Sequence, residues 1–338
     1  MNEEIKKIIN QYFSESAVVS IEESKGGAVN TTFHLYVEEA GEKSEYTMHK
    51  MNTIFDVAIM EDIDAITSHL LAKNINIQKV LRTLDNKLFV RGGGFWYRVL
   101  TYLPGKIFST VVSGEQAREA GRLLGFFHDA LVDFDYDFKF KLPHYHDTAF
   151  TIEELRSTLL KNENTNKVKY EALKDLATDI LDSYEKIKRS EVLPERILHG
   201  DLKISNVVFD ESGEKAVGLI DFDTLMSGLI ALDLGDALRS WCMPGGEDVE
   251  VVRFDKNIYN ATLEGYFSTA HFLTEAEKES IPYGVKLITL DLATRFVTDA
   301  FEEKYFKLDI SKYKNLFEQN KKKAENQFAF FKKFSKSF

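Results

Sequence analysis

The feature that most constrains the fold of this chain is a change in hydrophobic period at about residue 104. Before that point the runs AVVSIEE, TTFHLYVEE and EYTMHKM alternate apolar and polar residues, as half-buried strands do. After Pro104 and Gly105 the apolar residues recur at helical spacing. The change predicts an α+β chain in two lobes, with a strand-rich part at 1–103 and a mainly helical part at 104–338.

The strand-rich part also contains one predicted helix and one predicted hairpin. Residues 56–72 carry isoleucine and leucine at helical spacing, with Asp56 as the predicted N-cap. The strands KLFVR and FWYRVLTYL flank three glycines, Gly92 to Gly94, which predict a hairpin turn. We therefore expect a small antiparallel sheet with one inserted helix.

The second part begins with a helix whose start is marked by Ser113 and Gln116, a capping-box pair. A further helix is predicted over 168–190, and several more fill the chain from residue 229 onward. Two short strand-like runs, NVVFD and AVGLIDFD, lie between them. The most informative residues of the chain fall around these two runs.

Composition excludes several classes of protein. The chain has 338 residues with 43 Lys and Arg against 54 Asp and Glu, so its net charge of −11 disfavours general nucleic-acid binding. Its one cysteine, Cys242, forms no intrachain disulfide, which fits a reducing compartment. The amino terminus has no signal-peptide pattern, and no apolar run approaches the ~20 residues of a membrane span. We expect a cytoplasmic protein; its oligomeric state is left open.

The carboxy-terminal segment NKKKAENQFAFFKKFSKSF alternates lysines with phenylalanines. Such a segment is compatible with contact to an anionic membrane. A final helix that packs Phe328, Phe331 and Phe334 inward and leaves its lysines in water is the favoured interpretation. No membrane partner is therefore expected.

One spacing points to chemistry. The segment ILHGDLKISNVVFD places His199, Asp201 and Asn206 in the order H-x-D-x-x-x-x-N, and Asp221 follows 15 residues after Asn206. Phosphoryl transfer needs a carboxylate beside the acceptor hydroxyl and oxygen ligands for magnesium. An Asp, an Asn five positions later and a second Asp across a short hairpin meet that need. The spacing predicts a kinase site.

The same residues resemble a known group of enzymes. HGDLKISNVVFD followed by GLIDFDTLMSGLIALDLGDALR resembles the aminoglycoside phosphotransferase and choline kinase superfamily, which has a two-lobe protein-kinase-like fold. FDVAIMEDI and RFVTDAFEEKYFK further resemble the N-acetylhexosamine 1-kinase branch. The chain departs from that branch at Gly200 and Leu202, and its late segment is one residue shorter.

The resemblance implies a role for each residue of the motif. Asp201 would orient the acceptor hydroxyl as the base, and Asn206 and Asp221 would bind Mg²⁺. Asp223 would help to hold a second metal, or else accept hydrogen bonds from the loop that follows it. Lys203 would neutralise the transferred phosphoryl group, or else be a solvated surface lysine. We expect His199, Asp233 and Asp236 to brace loops rather than to catalyse.

The nucleotide, ATP, would be held by the first lobe. Gly26 and Gly27 precede a strand and would lay backbone amides over phosphates, although a plain hairpin turn fits equally well. Lys50 on the third strand, paired with Glu61 on the helix, is the predicted phosphate-binding cation. His49 takes the place of Lys50 if the strand register differs by one residue.

Adenine would bind at the residues that join the lobes. Thr101, Tyr102, Leu103 and Pro104 resemble the kinase hinge, where backbone groups bind the base. Thr101 and Leu103 are the predicted contacts.

The acceptor is the least constrained part of the prediction. Arg295, Asp299 and Tyr305 in the late segment would bind a sugar with forked donors, a carboxylate and an aromatic wall, whereas an ion pair on a helix face is the alternative. The branch resemblance favours the anomeric hydroxyl of an N-acetylhexosamine. Choline, another amino alcohol or an aminoglycoside is the alternative acceptor, and a non-catalytic nucleotide-binding protein is a further alternative.

Overall fold

The N-terminal part of the chain is an antiparallel sheet. The computed structural model describes residues 3–24, 29–187 and 192–338. The strands run in the order β1-β2-β3-β6-β4, and β5 also pairs with β6. They are β1 (Val18–Glu23), β2 (Thr31–Glu39), β3 (Glu42–Lys50), β4 (Val80–Leu81), β5 (Val90–Gly92) and β6 (Phe95–Thr101). The predicted hairpin is confirmed, because β5 and β6 join through Gly93 and Gly94, both at positive φ.

Helices cover both faces of this sheet. Helix α1 (Glu3–Ile9) packs on one face, and α2 (Ile59–Ala72) packs on the other. The predicted N-cap was wrong by two residues: Asp56 accepts a hydrogen bond from the Ala58 amide at 2.8 Å, and the helix begins only at Ile59, with Ala58 at the N-cap position. The side chain thus closes the turn that leads into α2 rather than capping its first turn.

The rest of the chain is mainly helical, as predicted. Ser113 caps α3 by accepting from the Gln116 amide, which confirms that start signal. The helix expected at 168–190 is α5, and α4 before it was not anticipated; residues 188–191 lie outside the described residues. The helices are α3 (Gly114–Ala130), α4 (Thr148–Thr165), α5 (Lys167–Lys186), α6 (Ile230–Trp241), α7 (Lys256–Phe267), α8 (Glu275–Glu279), α9 (Ile281–Glu302) and α10 (Leu316–Ser335).

Two short strand pairs lie among these helices. β7 (Arg196–Leu198) pairs with β10 (Met226–Gly228), and β8 (Val207–Phe209) pairs with β9 (Ala216–Leu219). A 3-10 turn, Ile204–Asn206, leads into β8. This arrangement brings the loop after β7 beside the loop after β9, which is where the motif residues fall.

The C-terminal helix buries its phenylalanines. Phe328, Phe331 and Phe334 on α10 are all buried, so the packing interpretation of this segment is confirmed. No helix among the described residues is both long and apolar enough to cross a bilayer. One large apolar cluster draws on both parts of the chain, including Ile63 from α2 and Leu234 from α6. The boundary at 103/104 stays a prediction.

Candidate active site

The loop after β7 is fixed from behind by two carboxylates of α6. Asp233 is fully buried and accepts hydrogen bonds from the His199 amide at 2.8 Å, the Gly200 amide at 2.7 Å and His128 Nε2 at 2.9 Å. Asp236 accepts from the Leu202 amide at 2.9 Å. The bracing role predicted for both aspartates is confirmed, and the loop backbone is held at three successive points.

His199 fixes the same loop to its neighbour. Its Nε2 lies 3.0 Å from the Ile220 carbonyl, and its own carbonyl accepts from Thr224 Oγ1 at 2.9 Å. Complete burial lowers its pKa, so the ring stays neutral. Gly200 has φ +84°, and a Cβ there would lie 2.3 Å from the Thr224 carbonyl oxygen. The close approach of the two loops therefore requires glycine at this position.

Four of the predicted catalytic and metal-binding residues lie together at this loop: Asp201, Lys203, Asn206 and Asp221. Lys203 Nζ lies 2.6 Å from Asp201 Oδ2 and 3.9 Å from Asp221 Oδ2. Asn206 Nδ2 donates to the Asp201 carbonyl at 2.8 Å and to Asp201 Oδ2 at 3.1 Å. One lysine thus bridges two carboxylates in a cleft that water still reaches, since Lys203 and Asp221 are each 40% exposed.

The two carboxylates differ electrostatically. Burial acts to raise the pKa of Asp201, but the Lys203 ammonium outweighs it and holds that pKa below the usual range. Asp221 shows the opposite shift: loss of solvent, then the charge of Asp223, raises its pKa to about 7. Asp221 also adopts φ 70°, a left-handed conformation that is uncommon for aspartate and that recurs at functional sites.

The donor set fits a hard divalent cation. Asn206 and Asp221 offer amide and carboxylate oxygens, which are the ligands that Mg²⁺ takes in proteins. Within the described ranges, no group of three or more His, Cys, Asp or Glu side chains is arranged to hold a metal by itself. A cation here would therefore complete its coordination with nucleotide phosphates and water.

Asp223 is used differently from the predicted metal role. It is 4% exposed; its Oδ1 lies 2.5 Å from Arg98 Nη1, and its Oδ2 accepts from Asn30 Nδ2 at 2.7 Å. Oδ1 thus has a charge contact with Arg98 but no hydrogen bond, and Oδ2 has a hydrogen bond from Asn30; both partners belong to the N-terminal sheet region and not to the loop that follows. Sequence reasoning missed Arg98, although a charged residue within the apolar strand FWYRVLTYL is a recognisable signal.

The predicted ion pair of Lys50 and Glu61 was wrong, because the strand register turns Lys50 to the other face of the sheet. Its ammonium lies 3.7 Å from the centre of the Phe95 ring, while Glu61 is exposed on α2. His49 faces the side that carries Arg98. Burial, and then the charge of Arg98, lower the pKa of His49 to about 3, so His49 is a neutral acceptor.

The two residues predicted to bind adenine, Thr101 and Leu103, differ in whether their backbone groups already have hydrogen-bond partners. Thr101 ends β6, and its carbonyl already accepts from Gln78 Nε2 at 3.2 Å. The Leu103 amide and carbonyl have no partner within the described residues, so they remain available to a base. The predicted phosphate turn at Gly26 and Gly27 lies outside the described residues.

Two of the three residues predicted to bind the acceptor, Arg295 and Tyr305, lie together in the late segment, and Asp299 is separate from them. The Arg295 guanidinium lies 4.7 Å from the centre of the Tyr305 ring. Its nearest carboxylate is Asp291, at 4.0 Å, rather than Asp299. The predicted substrate role of Asp299 was wrong. Its buried carboxylate instead accepts from Asn320 Nδ2 and from three amides of the loop after α9: Lys304, Tyr305 and Phe306.

Tyr145 contacts the catalytic loop and was missed from the sequence. Its hydroxyl donates to the Gly200 carbonyl at 2.9 Å. Burial, and then the negative charges of Asp201 and Asp236, raise its pKa well above the usual range, whereas Arg295 acts to lower it. Arg295 and Asp201 therefore lie within electrostatic range of one tyrosine.

The fold and the carboxylate-lysine-amide cluster define a phosphotransferase of the protein-kinase-like class. The chain belongs to the APH phosphotransferase enzyme family, whose model matches residues 21–271.

Similar proteins agree with this class. A homoserine kinase of Sinorhizobium medicae is 27% identical over 256 residues, which are 73% of each chain. An aminoglycoside phosphotransferase from Alicyclobacillus acidocaldarius superposes with a TM-score of 0.64 at 17% identity, covering 98% of this chain and 95% of that one. A microcompartment-associated aminopropanol kinase gives 0.63 at 16% identity, covering 98% and 97%. The superfamily predicted from the motif is confirmed.

Proposed function

We propose that this enzyme transfers the γ-phosphoryl group of magnesium-bound ATP to the anomeric hydroxyl of an N-acetylhexosamine. The observation that carries the acceptor assignment is the position of Arg295. Its guanidinium lies over the Tyr305 ring and acts electrostatically on Tyr145, whose hydroxyl donates to the catalytic loop. A guanidinium with forked donors beside an aromatic ring suits a neutral ligand that is rich in hydroxyl and amide groups.

Each residue then has a defined task. Asp201 accepts a hydrogen bond from the acceptor hydroxyl and takes its proton as the phosphoryl group moves. Lys203 lies against Asp201 and Asp221 and offsets negative charge at the transferred group. Asn206 and Asp221 hold the cation, which when bound neutralises the phosphates. The free Leu103 backbone groups bind adenine.

Similar proteins support ATP as the phosphoryl donor. Solved structures of the same fold include an amicoumacin kinase with AMP-PNP and Ca²⁺ and a spectinomycin phosphotransferase with ADP. Both contain an adenine nucleotide, and the first also contains a divalent cation. The oxygen donors of Asn206 and Asp221 favour Mg²⁺ as the cation used by this chain. A cytoplasmic location stays a prediction.

A second acceptor class is favoured by a different observation. The curated relatives at 26% to 27% identity include homoserine kinases. Homoserine carries a carboxylate, and the Arg295 guanidinium would bind it through two parallel hydrogen bonds. Choline fits less well, because Arg295 places a positive charge beside the path of a cationic acceptor.

A screen of acceptors tests the proposal. The purified chain is incubated with Mg-ATP and N-acetylglucosamine, N-acetylgalactosamine, homoserine, choline or aminopropanol, and ADP formation is followed. Phosphorus NMR of the product then locates the phosphate, with Asp201→Ala as the inactive control. An anomeric phosphate supports the proposal. Activity only on homoserine would replace the sugar with a hydroxy amino acid, and phosphate at a non-anomeric position would refute the stated regiochemistry.

A further inference from the structure

A buried polar cluster joins the N-terminal sheet to the loop that carries Asp221. Its centre is the ion pair between Arg98 on β6 and Asp223, whose charged atoms lie 2.5 Å apart. Arg98 is fully buried and Asp223 is 4% exposed. The pair thus connects β6 of the N-terminal sheet to Asp223, which lies two residues after the predicted metal ligand Asp221.

Two neutral side chains complete the cluster. His49 Nδ1 accepts from Arg98 Nε at 3.1 Å and from Nη2 at 2.8 Å. Asn30 donates to Asp223 Oδ2 and accepts from the Asn52 amide at 2.9 Å. Asn30 lies just before β2, so Asp223 also contacts the chain at the start of that strand. Two separate pieces of the sheet region therefore contact one carboxylate, and His49 on β3 supports one of them through Arg98.

A contribution to stability alone does not explain the buried ion pair between Arg98 and Asp223. Removing two charges from water costs several kcal/mol per ion, and an apolar pair of similar size is often as stable. The geometry gives it another use. Asp223 Oδ1 is held by the charge of Arg98 and Oδ2 by a hydrogen bond from Asn30, so a metal at either oxygen would have to compete with one of these contacts.

We propose that the Arg98–Asp223 pair is the interlobe link that sets the distance between the nucleotide-binding sheet and the metal loop. Asp223 is then a positioning residue, and Asp221 and Asn206 carry the metal. The inference rests on the proposed use of Mg-ATP and is independent of which acceptor is phosphorylated.

Calorimetric binding of the magnesium complex of AMP-PNP, with no acceptor present, tests the link. Arg98→Met and Asp223→Asn are each expected to raise the Kd of the complex about tenfold or more, because the phosphates and the metal ligands lose their alignment. The half-saturating magnesium concentration at saturating nucleotide should rise less in either variant than in Asp221→Asn, which removes a predicted metal ligand. Arg82→Met, which breaks an exposed ion pair with Asp64 in the same region, is the matched control and should leave the Kd unchanged.

Because each single change leaves one buried charge unpaired, the thermal midpoint of each variant is measured first. The double variant Arg98→Met/Asp223→Leu replaces the pair by apolar side chains and should regain thermal stability while its nucleotide Kd stays raised. Wild-type affinity in this double variant would overturn the proposal, because the pair would then act on stability alone.

A different result would identify Asp223 as a metal ligand: a magnesium requirement shifted by Asp223→Asn as far as by Asp221→Asn, with Arg98→Met unaffected. If the wild-type chain binds the nucleotide normally but phosphorylates no sugar, the acceptor proposal fails while the interlobe link is still tested.

Discussion

Replacing Asp233 by Asn should loosen the catalytic loop without removing any group that touches a substrate. The carboxylate is fully buried and accepts from the His199 and Gly200 amides and from His128. An asparagine keeps one acceptor oxygen. Its side-chain NH2 group is a donor, however, and would face N–H groups that the second carboxylate oxygen had accepted from. Hydrogen bonds to a charged group contribute about 1.5–3 kcal/mol each, and a stranded buried amide costs about 1–3 kcal/mol. We expect a loss of about 3–5 kcal/mol in the free energy of unfolding.

Urea unfolding followed by fluorescence measures that loss, and turnover under folding conditions should fall with it. Asp133→Asn is the matched control, since Asp133 is 65% exposed in its pair with Lys73 and should change stability by less than about 1 kcal/mol. A loss below about 1 kcal/mol in Asp233→Asn would refute the bracing argument.

The pH dependence of this loss has a definite sign. Burial acts to raise the pKa of Asp233, but the hydrogen bond and the charge of His128 outweigh it, so the folded-state pKa is lowered. The stability that the carboxylate contributes is therefore present above its unfolded pKa of about 4 and is lost as the pH falls through the folded value. The difference in stability between the wild type and Asp233→Asn should shrink in that acid range.

Three further changes test individual assignments. Asp201→Ala should reduce turnover about 10²- to 10⁴-fold while calorimetry shows nearly unchanged nucleotide binding; near-normal turnover would remove Asp201 as the base. Arg295→Ala should raise the acceptor KM about tenfold or more with the nucleotide KM retained, and the opposite split would place Arg295 outside the acceptor site. Lys50→Ala should leave the nucleotide KM unchanged and lower the free energy of unfolding by less than about 1 kcal/mol, because among the described residues its ammonium contacts the Phe95 ring; a large rise in that KM would show that Lys50 acts on the nucleotide.

The sequence by itself determined the class of the protein and the position of its catalytic loop. Alternation before residue 104 and helical spacing after it predicted the two parts, because each period reflects which side chains face the core. Asp201 and Asn206 are five residues apart in one loop, so their proximity follows from local geometry. Asp233 and Asp236 could also be assigned as braces, since both stand near the start of a predicted helix.

Tertiary structure decided what each remaining polar group faces. Adjacent residues of a strand point to opposite faces, so whether His49 or Lys50 meets Arg98 depends on pairing with a strand about fifty residues away. Asp299 lies one helical turn from Arg295, which favoured a pair, yet its carboxylate binds the loop that turns back after α9. Asp223 finds its partners in a different part of the chain. Long-range contacts of this kind leave no periodic signal, because a buried charge is satisfied by whichever donors the fold brings to it.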